Sequence, residues 1–595
     1  MNFWKMFFAS LAGSVIAFFV VGILLTLIFI ASIATSLSGD SNEVEPFIRN
    51  HSILQVNLDA PIVERGMAEG NGLNLASLSG NTEPLGLNNI LSGLRRASMD
   101  ENIEGMYLNL SGASGGFSAI TDIRDELVKF RATGKWILAY AEVMTQGSYY
   151  LASAADKVYL YPEGGMEWTG LNAELMFYKD MLEKAGVEIQ VLRGPDNKYK
   201  SAVEPYMRTE MSEASREQYQ ELLGDLWNIM VTDVSESRGI SAAKLNMIAD
   251  SMSIALPQDA VDLNLVDGLM YYDEVTAMLM EKVGEEDADE LNFVQLADYK
   301  GKIGENDTDD GIAVVYAVGA IESGEGDDST IGSERIAKAL SDARLNENTK
   351  AIVFRVNSPG GSALASDVIW RECQLIKEDK IPLIVSMSDL AASGGYYISC
   401  IADTIVASDA TITGSIGVFG MLPNAKSLLE DKLGIHTDRV STNAGGTMSL
   451  YNPLSDKQHE VIEKAISEIY YDFIGKVAEG RNMTPEEVDQ IAQGRVWSGT
   501  DALEEGLVDV IGNLEDAKQI AAEAAGITSY DIYEYPALID PFQKMIQELT
   551  GQVSTEKIAT KLGVDSDLIK ELNFLLNQGD GLSIQARMPY SFTIN

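Results

Sequence analysis

An internal duplication constrains the fold of this chain more than any other feature. Residues 146–171, QGSYYLASAADKVYLYPEGGMEWTGL, match residues 393–417, SGGYYISCIADTIVASDATITGSIG, in their Tyr-Tyr, Ala-Asp and Thr-Gly positions. Residues 186–205 and 434–453 carry glycine and proline at identical separations, and each stretch precedes a long amphipathic pattern. Self-similarity on this scale indicates that the chain folds as two diverged copies of one domain.

Short β-branched runs, such as AIVFRV and PLIVSM, alternate in each copy with helical periodicity, such as ASDVIWRECQLIKE. That alternation is typical of βα units with a mainly parallel sheet, so the predicted class is α/β with tandem domains. In the second copy, Ser455 and Gln458 have the spacing of a helix capping box. The predicted boundaries are an anchor at 1–45, a first repeat at 50–275, an acidic linker at 276–310, a second repeat at 311–520 and a C-terminal extension at 521–595.

The N-terminus contains a long uncharged run at residues 6–34. About 20 apolar residues suffice to cross a bilayer, so we expect one transmembrane helix here. Lys5 precedes the run, whereas Asp40 and Glu43 follow it. The positive-inside tendency therefore places the bulk of the chain outside the cytoplasm.

The overall charge narrows the possible partners. The net charge of −45 repels phosphate backbones, so nucleic-acid binding is not expected. The two cysteines, Cys373 and Cys400, lie in apolar segments and are expected to be buried free thiols. The sequence contains no cluster of cysteines and histidines of the kind that binds zinc, so we expect no metal or other cofactor.

The two copies differ at the positions that matter for chemistry. After the shared Thr-Gly, the second copy has Ser415 and the first has Leu171. Conversely, the first copy has Lys200 where the second has Met448. A serine in one copy and a lysine in the other predict one composite site, because a serine nucleophile needs a base and a buried neutral lysine can serve as one.

The residues alone leave alternatives open. Lys198 would share a strand face with Lys200, and His436 is the histidine nearest to Ser415 in the sequence. Ser393, in a small-Ser-Gly-Gly turn, is a rival nucleophile.

Attack on an amide also requires donors for the developing oxyanion. In NSPGGSAL, Gly360 and Gly361 follow a predicted strand and precede a helix, so their N–H groups can approach a carbonyl. The backbone N–H of Ile416, directly after Ser415, is the second candidate donor.

The motifs NSPGGS, ASGGYYIS, ADTIVAS, TGSIGV and YKSAVEP together resemble the signal peptide peptidase A (protease IV) family, in its long tandem form with a membrane anchor. The resemblance covers most of residues 1–520. It implies ClpP/crotonase-like domains, Ser415 as nucleophile and Lys200, rather than Lys198, as general base, with Thr437 or Ser441 to orient the lysine. Clp-type proteases have their nucleophile where Ser393 stands, but the histidine that follows it there is replaced here by Val418.

The resemblance further implies a homotetramer in a bacterial inner membrane, with the bulk of the chain in the periplasm. Its substrates would be signal peptide remnants and other apolar peptides, with FGMLP at 419–423 lining an apolar groove. Two other functions fit the fold: a crotonase-type enzyme acting on acyl-CoA, and a catalytically silent membrane scaffold.

Overall fold

The structure is a computed structural model that describes residues 48–66, 84–296, 309–538, 583–587 and 593–594, except 111, 113, 195, 196, 444 and 447. The expected transmembrane run at 6–34 lies outside these residues. In the part of the chain that is described, no helix has the length and apolarity to cross a membrane.

The first repeat is built on a sheet whose pairings are all parallel. Its strands are short β-branched and aromatic runs, buried because helices cover the sheet. In spatial order they are Phe293–Gln295, Ser52–Asn57, Ile103–Asn109, Trp136–Met144, Lys157–Met166 and Gly268–Leu269.

The second repeat has the same arrangement. Its parallel strands are followed at one end by one antiparallel strand, Val496–Ser498. In spatial order the path is Asp531–Tyr535, Gly311–Val318, Thr349–Ser358, Leu383–Ala392, Ile412–Gly414 and Val496–Ser498, with Thr404–Ala407 paired to Leu383–Ala392 and to Val510–Ile511.

Helices connect the strands in both repeats. The predicted capping box is confirmed, since Ser455 and Gln458 each satisfy the other's backbone N–H at the start of a 26-residue helix. The first repeat contains Leu87–Met99, Phe117–Ala132, Gln146–Ala152, Lys179–Ala185, Glu204–Met207, Glu213–Arg238, Ala242–Asp250, Pro257–Asp262 and Tyr272–Val283. The second contains Ser333–Leu345, Ala363–Glu378, Gly394–Ser399, Asp456–Arg481, Pro485–Ile491, Gly499–Glu504 and Leu514–Ala525.

The repeats extend beyond their predicted ends. In the first, the helix Tyr272–Val283 crosses residue 275, and the strand Phe293–Gln295 lies in the segment expected to be linker and pairs with Ser52–Asn57. In the second, the helix Leu514–Ala525 crosses residue 520, and Asp531–Tyr535 pairs with Gly311–Val318. Each repeat thus ends in a helix and an edge strand, which acidic composition alone does not reveal.

The two repeats share a hydrophobic core. One cluster of buried side chains includes Leu94 and Phe130 from the first repeat and Val314 and Ala521 from the second. Both predicted free thiols, Cys373 and Cys400, are buried.

A third, mixed sheet joins the repeats. Its strand order is Thr330–Gly332, Ala320–Glu322, Gly360–Ser362, Ser583–Arg587, Phe419–Asn424 and Glu188–Arg193. Glu188–Arg193, from the first repeat, runs antiparallel to Phe419–Asn424, with Arg193 opposite Phe419. The chain that leaves Arg193 therefore heads toward the residues just before Phe419, which include Ser415.

Candidate active site

Two serines lie side by side because of strand register. Leu383–Ala392 and Ile412–Gly414 are parallel neighbours, with Ala392 opposite Gly414. The next residue after each strand is a serine, Ser393 or Ser415, and the N–H of Ser393 donates to the carbonyl of Gly414 at 2.7 Å. Parallel strands end at the same edge of a sheet, so the two hydroxyls meet there.

Both serines adopt backbone conformations that are rare for residues with a side chain. Ser393 has φ 58° and ψ −113°, between the end of its strand and the helix Gly394–Ser399. Ser415 has φ 51°. Such conformations persist only where the surroundings fix them, and they concentrate at functional sites. A serine on a sharp strand-to-helix turn is also the geometry that presents a nucleophile in hydrolases.

Lys200 reaches these serines from the first repeat. The segment that carries it docks on the second repeat: the Tyr199 N–H donates to the carbonyl of Gln493 at 3.0 Å, and Asn197 Nδ2 donates to the carbonyl of Val418 at 2.8 Å. Gly494 lies against Lys200, since a Cβ built on it would be 2.6 Å from Cβ of Lys200. Only a residue without a side chain fits there.

The amine of Lys200 contacts three oxygens. Nζ lies 2.8 Å from Oγ of Ser393, 2.9 Å from Oγ of Ser415 and 2.8 Å from the carbonyl oxygen of Ser415. These distances are those of normal hydrogen bonds. The composite arrangement therefore contains one amine from the first repeat and two hydroxyls from the second.

The environment of this amine favours its neutral form. Lys200 is 2 % exposed, and burial lowers its pKa well below the usual lysine value. Among the residues that the structure describes, no carboxylate pairs with it to offset this effect. Because desolvation disfavours the ammonium ion, a buried lysine without a counter-charge loses its proton more readily than an exposed lysine and can then accept one as a base.

The hydrogen-bond pattern distinguishes the two serines. A neutral amine has two N–H donors and one lone pair. The carbonyl of Ser415 can only accept, so it takes one N–H. The Ser415 hydroxyl donates to the carbonyl of Gly494 at 3.4 Å, and its oxygen can accept the second N–H. The lone pair then remains for the hydroxyl of Ser393.

The alternative bases predicted from sequence lie elsewhere. Lys198 is at the surface, where Nζ donates to the Tyr199 hydroxyl at 2.6 Å and lies over its ring. His436 is exposed, and so are Thr437 and Ser441, which were expected to orient the lysine. The polar groups that hold Nζ are instead on Ser393 and Ser415, so the expected orienting role of Thr437 or Ser441 is wrong.

The predicted oxyanion donors lie around the serines in different hydrogen-bonding states. The N–H of Gly360 donates to Oγ of Ser358 at 3.1 Å. Gly361 lies opposite Ala586 of the C-terminal segment. Ile416 is fully buried next to Ser415. The N–H of Gly360 is thus engaged, and the assignment of all three as donors stays a prediction.

The family model of peptidase family S49 matches residues 129–286 and 376–528, one match in each repeat and together more than half of the chain. The chain belongs to peptidase family S49. The first match contains Lys200 and the second contains both serines, so the composite arrangement is assembled from the two S49 regions of the chain.

Curated relatives of this S49 protein extend over most of its length. "Protease 4" of Salmonella typhi is 37% identical over 509 residues, covering 83% of this chain and 81% of that protein. "Protease 4" of Haemophilus influenzae is 33% identical, covering 85% and 86%. "Serine protease SPPA, chloroplastic" of Arabidopsis thaliana is 33% identical, covering 91% and 78%. The S49 chain is accordingly a serine peptidase.

A solved structure of a ClpP1 mutant from Listeria monocytogenes is 19% identical and covers 34% of this chain and 93% of its own, with a TM-score of 0.24. A likeness this weak supports no conclusion. The ClpP/crotonase-like character of the S49 domains stays a prediction, whereas their duplicated α/β architecture is observed.

Proposed function

We propose that this protein is a membrane-anchored serine endopeptidase in which Lys200 is the general base and Ser393 the nucleophile. The observation that carries the proposal is the buried amine 2.8 Å from the Ser393 hydroxyl, with no carboxylate among the described residues to keep it protonated. Ser415, the nucleophile expected from sequence, becomes the residue that positions the amine.

Two features favour Ser393 over Ser415. The backbone N–H of each serine is held, that of Ser393 by the carbonyl of Gly414 at 2.7 Å and that of Ser415 by the carbonyl of Arg495 at 2.6 Å. The hydroxyls differ, because that of Ser415 also donates to the carbonyl of Gly494 at 3.4 Å, whereas that of Ser393 contacts only Nζ of Lys200 among the residues that the structure describes. In addition, Ser415 offers Nζ two acceptors, which fixes the direction of the lone pair. Such double attachment suits a residue that positions the amine, whereas the hydroxyl of a nucleophile must be able to give its proton to the base.

The reaction follows from these contacts. The lone pair of Nζ takes the Ser393 proton while Oγ attacks the peptide carbonyl. The ammonium that forms donates to both oxygens of Ser415 and then protonates the leaving amine. Water repeats the cycle on the acyl-enzyme, with Lys200 again as base.

When Ser393 is the nucleophile, one of the two proposed N–H donors to the oxyanion changes. The N–H directly after the nucleophile is that of Gly394, in the first helical turn, instead of that of Ile416. Gly395 packs on Ser358, since a Cβ on it would be 2.8 Å from the Ser358 carbonyl. The turn at Gly394 therefore adjoins the strand Gly360–Ser362, and Gly361 supplies the other donor in this proposal.

Substrate, location and assembly belong to the same proposal. The apolar run at 6–34 supports an anchor in a bacterial inner membrane, with the catalytic part in the periplasm. A relative named "Putative signal peptide peptidase SppA" from Enterococcus faecium, 39% identical over 189 residues, supports signal peptide remnants and other apolar peptides as substrates. Phe419 and Met421, in the strand beside the site, are buried in a hydrophobic cluster, so the lining of an apolar groove by residues 419–423 stays a prediction. The assembly proposed is a homotetramer.

The test is cleavage of a fluorogenic apolar peptide by the full chain and by Ser393→Ala, Ser415→Ala and Lys200→Ala. We expect losses of about 10⁴-fold or more for Ser393→Ala and about 10²–10⁴-fold for Lys200→Ala, with Ser415→Ala retaining measurable turnover. Complete loss of activity in Ser415→Ala, together with near-full activity in Ser393→Ala, would reverse the assignment of nucleophile and positioning residue.

A further inference from the structure

The region of the first repeat that corresponds to the catalytic site of the second has neither of the two serines. Alignment on Tyr149 and Tyr396 puts Gln146 where Ser393 stands, and alignment on the shared Thr-Gly puts Leu171 where Ser415 stands. The Gln146 side chain accepts from the N–H groups of Thr169 and Gly170 at 2.9 and 3.0 Å, which fills the place of the nucleophile with a fixed amide. Neither serine of the catalytic cleft therefore has a counterpart here.

The glycine edge of the first repeat, Gly115–Gly116, nevertheless has the same surroundings as Gly360–Ser362. Gly115 lies against Ile62, with a built Cβ 3.3 Å from that side chain, and the Ile62 N–H donates to the carbonyl of Ser114. In the second repeat Gly361 pairs with Ile321 in the equivalent way. Both edges therefore present backbone groups of glycine to an incoming strand.

The C-terminal segment pairs with both edges. Ser583–Arg587 runs antiparallel to Gly360–Ser362 on one side and to Phe419–Asn424 on the other, with Gln585 opposite Ser362 and Phe419. Thr593–Ile594 runs antiparallel to Gly115–Gly116. One tail thus adds a strand to the catalytic repeat and then to the non-catalytic one.

Ser583–Arg587 occupies the position that an extended peptide would take next to the nucleophile. It lies between the glycine edge that adjoins the Ser393 turn and the strand that follows Ser415. Gln585 is 8 % exposed, so this segment fills the slot. Main-chain pairing of this kind accepts many sequences, so a substrate and the tail would compete for the same backbone groups.

We propose that Gly115–Gly116 is a non-catalytic peptide-docking edge whose occupant is the C-terminus of this chain, and that docking there holds Ser583–Arg587 in the catalytic slot. The inhibitory part of this inference rests on the proposed peptidase function. While Thr593–Ile594 is bound to Gly115–Gly116, the tail keeps Ser583–Arg587 at a high effective concentration next to the catalytic slot. Loss of the contact at Gly115–Gly116 therefore weakens the binding of Ser583–Arg587 in that slot.

The first test is hydrogen exchange of the full-length protein, which requires no catalysis. A chain ending at residue 592 lacks Thr593–Ile594, and a chain ending at residue 594 is the matched control. We expect faster exchange at Gly115–Gly116 and at Ser583–Arg587 in the shorter chain alone. Equal exchange in both chains would overturn the docking edge, whatever the enzyme does.

The second test is kinetic. For an apolar peptide substrate, the chain ending at 592 and the variant Gln585→Pro are expected to show KM lowered by about threefold to tenfold with kcat unchanged, because the slot is vacant more of the time. Gln585→Ala, which keeps the backbone N–H, is the control and is expected to match wild type. Unchanged KM in both test proteins would overturn the inhibitory role, and absence of any peptide cleavage would instead count against the proposed function.

A synthetic peptide of residues 588–595 tests the occupant. Added to the chain ending at 592, it is expected to restore protection at Gly115–Gly116. Equal protection by a scrambled peptide of the same composition would overturn the assignment of the tail and make the edge a general peptide site.

Discussion

The amine of Lys200 is attached twice to one residue, Ser415, at 2.9 Å from its hydroxyl and 2.8 Å from its carbonyl oxygen. The carbonyl belongs to the backbone and remains in Ser415→Ala, whereas the hydroxyl is lost. The orientation of the Lys200 amine therefore depends partly on the side chain of Ser415 and partly on its backbone.

Ser415→Ala is therefore expected to lower kcat by about 10- to 100-fold, less than removal of a nucleophile, since the hydroxyl makes one of the hydrogen bonds that orient the base. The acid limb of the pH–rate profile should also move, because the lost contact changes the balance between the charged and the neutral amine. Steady-state kinetics across the neutral and alkaline range measure both effects. A profile that keeps its shape while kcat falls would indicate a structural role only.

The pH dependence of the wild type follows from the burial of Lys200. Its pKa lies well below the usual lysine value because of desolvation, and the neutral form is the active one. The rate is expected to rise with pH until it passes this lowered pKa and then to level off. Lys200→Arg, which stays protonated at every accessible pH, should be inactive throughout. Activity of Lys200→Arg, or a rate that falls as the pH rises, would contradict a lysine base.

The same burial predicts an effect on stability. The unfolded chain binds a proton on Lys200 up to its usual pKa, whereas the folded chain loses it at lower pH. Between those two values the unfolded state holds more protons, so the free energy of unfolding contributed by this group rises with pH. Lys200→Met is expected to remove that slope and to be more stable than wild type at neutral pH, as measured by thermal unfolding at neutral and at alkaline pH. A wild-type advantage at neutral pH would refute this.

Gly494→Ala should disable the enzyme through Lys200. The position has φ +81°, and the new Cβ would lie 2.6 Å from Cβ of Lys200. We expect kcat/KM to fall about 10²-fold, because small misplacements of a catalytic group are costly. Gly475→Ala, inside the helix Asp456–Arg481, is the control, because beyond its own helical turn no described atom lies within 4 Å of the new Cβ. This variant should be as active as wild type and slightly more stable.

A buried ion pair crosses the contact between the repeats. Arg355 is 0 % exposed, and its Nε lies 2.8 Å from a carboxylate oxygen of Glu64 in the first repeat. Glu64 also accepts from Asn357 at 2.8 Å and from Ser388. Glu64→Gln is expected to destabilise the protein by about 3 kcal/mol, since it leaves a buried guanidinium short of a partner.

The matched control for that substitution is Glu378→Gln, which breaks an exposed pair with Arg371 at 2.9 Å. It should cost less than about 1 kcal/mol. Chemical unfolding midpoints compare the two variants, and similar costs for both would argue against the structural importance of the buried pair.

Sequence reasoning predicted the duplication and the two side chains that come from different repeats. The comparison of Leu171 with Ser415 and of Met448 with Lys200 paired two residues that are far apart in the chain, and Nζ of Lys200 lies 2.9 Å from Oγ of Ser415 in the structure. That inference needed no three-dimensional information, because in a composite site each copy lacks the catalytic side chain that the other copy carries.

The contact of the Ser393 hydroxyl with the amine of Lys200 could not be predicted in this way. Ser393 was visible as a rival nucleophile, but its contact with Lys200 depends on the register of Ala392 with Gly414, which hydrophobic periodicity does not encode. Ser583–Arg587 was missed for a similar reason, since five residues carry too little periodicity to indicate a strand, and their pairing partners are far away in the sequence.

The identity of the nucleophile is tested most directly by mapping a covalent adduct. The full-length protein is treated with an apolar peptidyl fluorophosphonate, digested, and analysed by mass spectrometry for the modified serine. The account predicts an adduct on Ser393, with its yield strongly reduced in Lys200→Ala. An adduct on Ser415 with Ser393 unmodified would contradict it.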